Sequence, residues 1–92
     1  MIKLHRYQIE FHPDAKDKQR PGDNHGKELY VNPQYITDME RHNLRTNGVD
    51  MPPFTYVTVL GNPEDNVYKV LENPIEITAA IHNWRYAYRG TP

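Results

Sequence analysis

The chain has 92 residues, of which 37% are hydrophobic, and this suits one domain with a thin core and excludes a second domain. The chain has 11 Lys and Arg residues and 12 Asp and Glu residues. Its formal net charge of -1 gives no overall electrostatic attraction to nucleic acid or to a membrane. The absence of cysteine excludes a disulfide framework, a thiolate metal site and a thiol nucleophile.

The N-terminal segment, Met1 to Arg6, carries basic residues without a long apolar run, so we expect no signal peptide. No stretch of the sequence approaches the ~20 apolar residues that a membrane span requires. The sequence therefore predicts a soluble, cytoplasmic protein.

The N-terminal third predicts an irregular strand followed by a polar loop. The apolar side chains occupy even positions in residues 2–4 and odd positions in residues 7–11. This change in alternation indicates a bulge or a change of buried face between the two segments. Residues 12–27 are polar, have no apolar periodicity and are broken by prolines and glycines, which is typical of a loop. A loop of this length in a small domain is usually either disordered or used for binding.

The middle of the chain predicts a short strand, an ambiguous segment and a second loop. The strand is Glu28 to Val31, and the turn dipeptide Asn32-Pro33 should end it. Residues 35–39 fit either a helical turn or the beginning of a strand, and periodicity does not decide between them. Residues 43–53 form the second polar loop, with Asn47-Gly48 as its turn.

The C-terminal half predicts a hairpin and a helix that form one unit. Phe54 to Leu60 is apolar on both faces, as in a central strand, and Val67 to Leu71 returns beside it after a turn. Asn73 to Glu76 combines a capping side chain, a proline and a first-turn carboxylate, which starts a helix. One helix face carries Ile77, Ala80, Ile81, Trp84 and Tyr88. The predicted fold is α+β, a small antiparallel sheet of about four to five strands packed against one C-terminal helix.

Several segments in this order also carry a family resemblance. They are Met1 to Leu4, Leu29 to Pro33, Ile36 with Met39 and Glu40, Thr58 to Leu60, Tyr68 to Val70, Glu72, and Glu76 with Ile77. Together they resemble the small flagellar FlbD or SwrD family, and the order of elements is more distantly similar to LytTR-type DNA-binding modules. The two long loops depart from the compact family pattern. The resemblance implies a small α+β regulatory fold without an active site.

The sequence offers little for metal binding or catalysis. The candidate metal ligands are His5, His12, His25, His42 and His82, with Asp14 or Asp23. None of these histidines shows a paired helical spacing, so we predict no metal or other cofactor. The chain also lacks serine, and solvent or helix capping accounts for the carboxylates Glu40, Glu64, Asp65 and Glu76. We therefore predict that the protein is not an enzyme.

Two binding alternatives remain open at the sequence level. The segment Trp84 to Arg89 mixes aromatic and guanidinium groups that can stack bases and contact phosphates, and Lys27, Arg41 and Arg45 would extend it. The simpler interpretation is that Trp84 and Tyr88 face the core while the arginines complement the helix dipole. A nucleotide-like small ligand, stacked by tyrosine and arginine, is the second alternative.

The tyrosine content favours protein recognition instead. Seven tyrosines and one tryptophan exceed what a thin core buries, so several should be half exposed, and Tyr7, Tyr35, Met51 and Tyr86 are the candidates. Exposed edge strands would also favour a homodimer. We expect a non-enzymatic regulatory or inhibitory protein that binds a larger protein, of a kind found among phage and mobile-element proteins. The predicted contacts are Asp14, Lys16, Asp17, Lys18, Arg20, Asp23, Tyr35, Met51, Arg85, Tyr86 and Arg89.

Overall fold

A computed structural model describes the backbone of residues 1–89 and the side chains of residues 1–86. Within these residues the chain forms nine short strands, one 3-10 turn and one helix. The strands are β1 (Ile2–His5), β2 (Ile9–Phe11), β3 (Gln19–Pro21), β4 (Glu28–Val31), β5 (Ile36–His42), β6 (Arg45–Thr46), β7 (Val49–Asp50), β8 (Phe54–Val59) and β9 (Asn66–Val70). The 3-10 turn is Pro33–Tyr35 and the helix, α1, is Pro74–Arg89. The predicted α+β class is confirmed.

The strands form four small antiparallel sheets rather than one sheet of four to five strands. Three sheets are pairs, β1 with β4, β2 with β3 and β6 with β7, while β8 lies between β5 and β9 in the fourth. The position of β8 agrees with its apolar character on both faces. The end of β1 meets β9 through the bridge between Arg6 and Val70, and the Leu71 N–H donates to the His5 carbonyl at 2.9 Å. Because this junction is so short, the two sheets adjoin without merging.

The main core lies between these two sheets and α1. Its buried side chains are Ile2 and Leu4 of β1, Leu29 and Val31 of β4, Val57 of β8, Val70 of β9 and Ile77 of α1. The helix packs against β1 and β5. The chain leaves the β1–β4 pair after His5 and crosses to β9, which explains why the alternation of apolar residues differs between residues 2–4 and residues 7–11.

The start of α1 follows its sequence signals. The Asn73 side-chain oxygen accepts the Glu76 N–H at 2.8 Å, and the Glu76 carboxylate accepts the Asn73 N–H at 3.3 Å. This reciprocal pair satisfies two backbone donors that would otherwise lack partners. On the predicted face Ile77 is fully buried, while Ala80, Ile81 and Trp84 pack partly buried on the core. The side chain of Tyr88 lies outside the described residues.

The two predicted loops contain short strands. Residues 12–27 include β3, which pairs with β2, and residues 43–53 include the β6–β7 hairpin. The turn of that hairpin is Asn47-Gly48, as predicted, with φ of 49° and 78°. The sequence does not reveal these pairings because strands of two or three residues are held by backbone hydrogen bonds and leave no apolar alternation. The ambiguous segment 35–39 ends the 3-10 turn and begins β5.

Candidate interaction surfaces

The outward side of α1 presents apolar residues that nothing in the described part of the chain covers. We define the outer face of α1 as Ile75, Thr78, Ala79, His82, Asn83 and Tyr86. Ile75 is 81% exposed and Tyr86 is 75% exposed, whereas Ile77, two positions after Ile75, is 0% exposed. Residues two positions apart in a helix are separated by about 200° around its axis, so the two isoleucines lie on opposite sides. The helix therefore has a core side and an exposed side, on which Ile75, Ala79 and Tyr86 are the apolar residues.

The shape of this surface suits a macromolecule better than a small ligand. An open depression of about 540 Å³ lies over residues 74–83, and every side chain that lines it belongs to α1. A single helix provides no opposing wall, whereas small-molecule sites bury most of their ligand. Side chains at i, i+4 and i+11, here Ile75, Ala79 and Tyr86, have the spacing of a helix that enters a groove on another protein.

The predicted charged contacts of the first loop are exposed, but half of them already bind within the loop. The Lys18 ammonium group donates to the Pro13 carbonyl at 2.7 Å, and Asp17 accepts the Gln19 N–H at 3.2 Å. Arg20 approaches the His12 ring at 3.5 Å. For Asp14, Lys16 and Asp23 the structure gives no side-chain bond within the described residues, and as binding residues they stay predictions.

This loop is also tied to the rest of the fold. The Gly22 N–H donates to the Gln8 carbonyl at 2.7 Å, and the ring of His25 accepts the Gln8 N–H at 2.9 Å. The Gln19 amide reaches the Asp50 carbonyl in the β6–β7 hairpin at 2.8 Å. Removing residues 12–27 would break all three bonds, so we expect such a deletion to lower stability as well as to remove charges.

Two of the predicted interface anchors are buried, and that part of the sequence prediction is wrong. Tyr7 is 6% exposed, its ring stacks on Phe54 at 4.7 Å between centroids, and its hydroxyl donates to the Pro52 carbonyl at 2.9 Å. Burial raises the pKa of the Tyr7 hydroxyl above its usual value. Met51 is 7% exposed. By contrast, Tyr35 is exposed.

The basic residues that would extend a nucleic-acid surface are partly committed to the fold. The Arg41 guanidinium donates to the Thr55 hydroxyl at 3.1 Å and to the Leu71 carbonyl at 3.2 Å. Arg45 lies 3.9 Å from the Asp50 carboxylate. Lys27 and Arg85 are exposed, and the side chain of Arg89 lies outside the described residues. The predicted basic residues are thus distributed over the segment before β4, β5, the β6–β7 hairpin and α1.

The histidines are spread over separate elements and bind different partners. His5 pairs with the Glu72 carboxylate at 2.7 Å, and His42 lies 3.3 Å from Glu40. His82 is exposed on the outer face of α1. In the described part of the chain, no three His, Asp or Glu side chains are grouped closely enough to hold a metal ion.

Comparison of the chain with protein-family models, characterised proteins and solved structures found no match. The resemblance to the flagellar family stays a prediction, and function has to be argued from the surfaces themselves. Among the described residues, no helix has the length and apolar character needed to cross a membrane.

Sequence reasoning missed Ile75 as a surface residue. Its only signal is that it lies off the apolar stripe that begins at Ile77, on the opposite side of a helical projection.

Proposed function

We propose that the protein is a non-enzymatic binding protein that inserts the outer face of α1 into an apolar groove on a larger protein. The observation that carries this proposal is the 81% exposure of Ile75 on a helix whose other side is packed. Burying such a side chain in a partner would contribute roughly 1.5 to 3 kcal/mol, and Tyr86 adds a large amphipathic ring.

A groove fits this helix better than a second copy of the chain does. The 16 residues of α1 form a cylinder about 24 Å long and about 10 Å wide. When two such cylinders touch along one side, they bury less than the roughly 800 Å² per partner of a standard stable interface. A groove also encloses the flanks of the helix and so buries more of the same residues. The larger partner supplies the walls that α1 lacks.

A regulatory role follows from this mode of binding. A helix that fills a groove excludes other ligands of that groove, so the protein would inhibit or redirect its partner by occupancy alone. Such a role needs no reaction. It agrees with the expectation of a small regulatory protein that acts through its surface.

The test compares two apolar residues that are both exposed but lie on different surfaces. Ile75→Asp places a carboxylate on the proposed contact, and in the first turn of a helix this charge is favourable for folding. Leu60→Asp makes the same kind of change at an exposed residue just beyond β8. Both variants should keep the thermal midpoint of the wild type, because neither side chain contributes to the core.

The measurement begins with proteins that are retained on the immobilised chain with nuclease present, and continues with calorimetric titration of each purified candidate. We expect Ile75→Asp to weaken binding by about 100-fold, since it loses apolar burial and desolvates a charge. Leu60→Asp should leave affinity unchanged. Binding that survives Ile75→Asp would refute the use of this face, and retention that nuclease abolishes would favour the nucleic-acid alternative. A dimer of the free chain that Ile75→Asp dissociates would identify the partner as a second copy.

A further inference from the structure

The longest described strand, β5, lies at the edge of its sheet. On one side it pairs with β8, and within the described residues no strand pairs with its opposite side. Four of its seven residues are exposed, so this opposite side is open to solvent. We call it the free edge of β5. A strand edge of this kind presents backbone donors and acceptors that another extended segment can bind.

The bonds between β5 and β8 show how the backbone of β8 is oriented. The Thr58 carbonyl accepts the Thr37 hydroxyl at 3.4 Å. Two positions later, the Leu60 N–H donates to the Tyr35 carbonyl at 2.7 Å. Since successive residues of a strand direct their backbone groups to alternate sides, the even-numbered residues of β8 face β5.

This orientation identifies the backbone groups that the free edge of β5 presents. Asp38 is opposite Thr58 in the register, so its N–H and C=O face β8, and those of Glu40 do the same two positions later. The backbone groups of Met39 and Arg41 therefore point to the free edge. The free edge thus offers two N–H donors and two carbonyl acceptors to an added strand.

The side chains of β5 give one face of this edge a negative charge. Asp38 and Glu40 are two positions apart, so they share one face of the strand, and both are exposed. The basic residue of β5 on that face is His42, which lies 3.3 Å from Glu40 and is charged only when protonated. Met39 points to the other face, where it packs partly buried on the main core. A strand added at the free edge therefore meets carboxylates on one face and an apolar side chain on the other.

The same charges disfavour a second copy of β5 as the added strand. Two copies of β5 related by a two-fold axis pair antiparallel. Centring such a pair on Met39 places Asp38 of one copy opposite Glu40 of the other, and centring it on either carboxylate places that carboxylate opposite itself. A pair centred on Arg41 sets two guanidinium groups opposite each other. Like charges directly opposite each other destabilise a sheet, so the free edge suits a different strand.

We propose that the free edge of β5 binds an extended segment of another protein in which basic and apolar residues alternate. Two basic side chains of that segment, two positions apart, lie opposite the carboxylates of Asp38 and Glu40. The apolar residue between them points to the face that carries Met39. Backbone bonds to Met39 and Arg41 accept any sequence, so the charge pairs provide the selectivity. This surface is separate from the outer face of α1 and goes beyond the docking function proposed above.

The experiment follows amide hydrogen exchange of the ¹⁵N-labelled full chain with and without a synthetic peptide, Lys-Val-Lys-Val-Lys flanked by serines. In the free chain the amides of Met39 and Arg41 should exchange faster than those of Asp38 and Glu40, because only the latter two bond to β8. The peptide should slow exchange at Met39 and Arg41. Slow exchange at all four amides of the free chain would show that the edge is already paired and would overturn the proposal.

Two altered peptides separate strand addition from general attraction between charges. Methylating the valine nitrogens removes the backbone donors that face β5 and keeps every charge, so this peptide should not slow exchange at Met39 or Arg41. Replacing the lysines by glutamates keeps the backbone donors and reverses the charge, and this peptide should not bind either. Binding of either altered peptide as tight as that of the original would contradict the proposal.

Matched variants of the chain test the charge pairs. Glu40→Gln removes a carboxylate beside the free edge and should weaken peptide binding by about fivefold, whereas Glu64→Gln removes an exposed carboxylate from the turn before β9 and should change it little. Equal effects of the two variants would refute a defined site. Ile75→Asp should leave peptide binding intact, which distinguishes a failure here from a failure of the docking proposal.

Discussion

Replacing Ile77 by alanine should destabilise the protein strongly, while the same replacement at Ile75 should not. Ile77 is 0% exposed at the centre of the core, and Ile75 is 81% exposed on the other side of α1. Truncating a buried isoleucine to alanine removes apolar contacts and leaves a cavity, which costs about 2 to 5 kcal/mol. At Ile75 the lost atoms were in water, and alanine is the better helix former, so the change should be within about 0.5 kcal/mol.

The expected loss is large for a chain of this size. At about 0.05 to 0.15 kcal/mol per residue, 92 residues have a total stability of roughly 5 to 14 kcal/mol. Each kcal/mol lowers the midpoint of thermal unfolding by about 4 to 8 °C in such a domain, so Ile77→Ala should lower it by roughly 10 °C or more. Ile75→Ala should leave the midpoint nearly unchanged.

Urea unfolding followed by tryptophan fluorescence measures this difference directly. The chain has one tryptophan, Trp84, and it packs partly buried on the same core, so its emission reports on the helix and the sheet together. The slope of the unfolding free energy against urea concentration should stay the same in both variants, while the unfolding midpoint shifts only for Ile77→Ala. Equal losses in the two variants would show that the two sides of α1 are not divided into core and surface as described.

Three further outcomes test other parts of the structure. Asn73→Ala removes the acceptor of the Glu76 N–H and should cost about 1 kcal/mol, whereas Asn73→Asp should restore the cap; circular dichroism during unfolding checks both. Tyr7→Phe leaves the Pro52 carbonyl without its donor and should cost about 1 kcal/mol by urea unfolding. Because burial raises the pKa of Tyr7, and the hydrogen bond to the Glu28 carboxylate raises that of Tyr30, these two tyrosines should ionise above the usual pH range of tyrosine in an alkaline absorbance titration. The folded state holds the Tyr7 proton more tightly than the unfolded state, so this contribution is complete below about pH 10 and is lost as the pH rises through the folded pKa. One late tyrosine should remain in Tyr7→Phe, and two would contradict the assignment.

The parts of the fold that sequence reasoning predicted are those encoded by neighbouring residues. The start of α1 depends on Asn73 and Glu76, three positions apart, and the central position of β8 depends on an apolar run within one strand. The burial of Tyr7 could not be predicted in this way, because it depends on Phe54 and Pro52, more than forty residues away. Local sequence patterns determine local structure, whereas tertiary contacts between distant residues determine which aromatic side chains are buried in the core.

The same distinction applies to the candidate surfaces. The sequence places Ile77 on the apolar stripe of the helix and Ile75 off it, and the packing of α1 on β1 and β5 buries Ile77 and leaves Ile75 exposed. The exposed side of α1 therefore follows from tertiary contacts as well as from the helical pattern.

The elongated shape of the molecule explains why exposure alone does not identify a binding surface. Its extents are 55 × 28 × 21 Å, and its radius of gyration is 15.3 Å, whereas a compact chain of this length would have about 12 Å. An extended chain has more surface than its polar residues can cover, so scattered exposed side chains such as Leu44 and Leu60 require no partner. Ile75, Ala79 and Tyr86 differ because they share one side of a continuous helix that the core holds in place through Ile77. Since α1 cannot leave the core without exposing Ile77, the proposed partner would have to bind the side that folding leaves free.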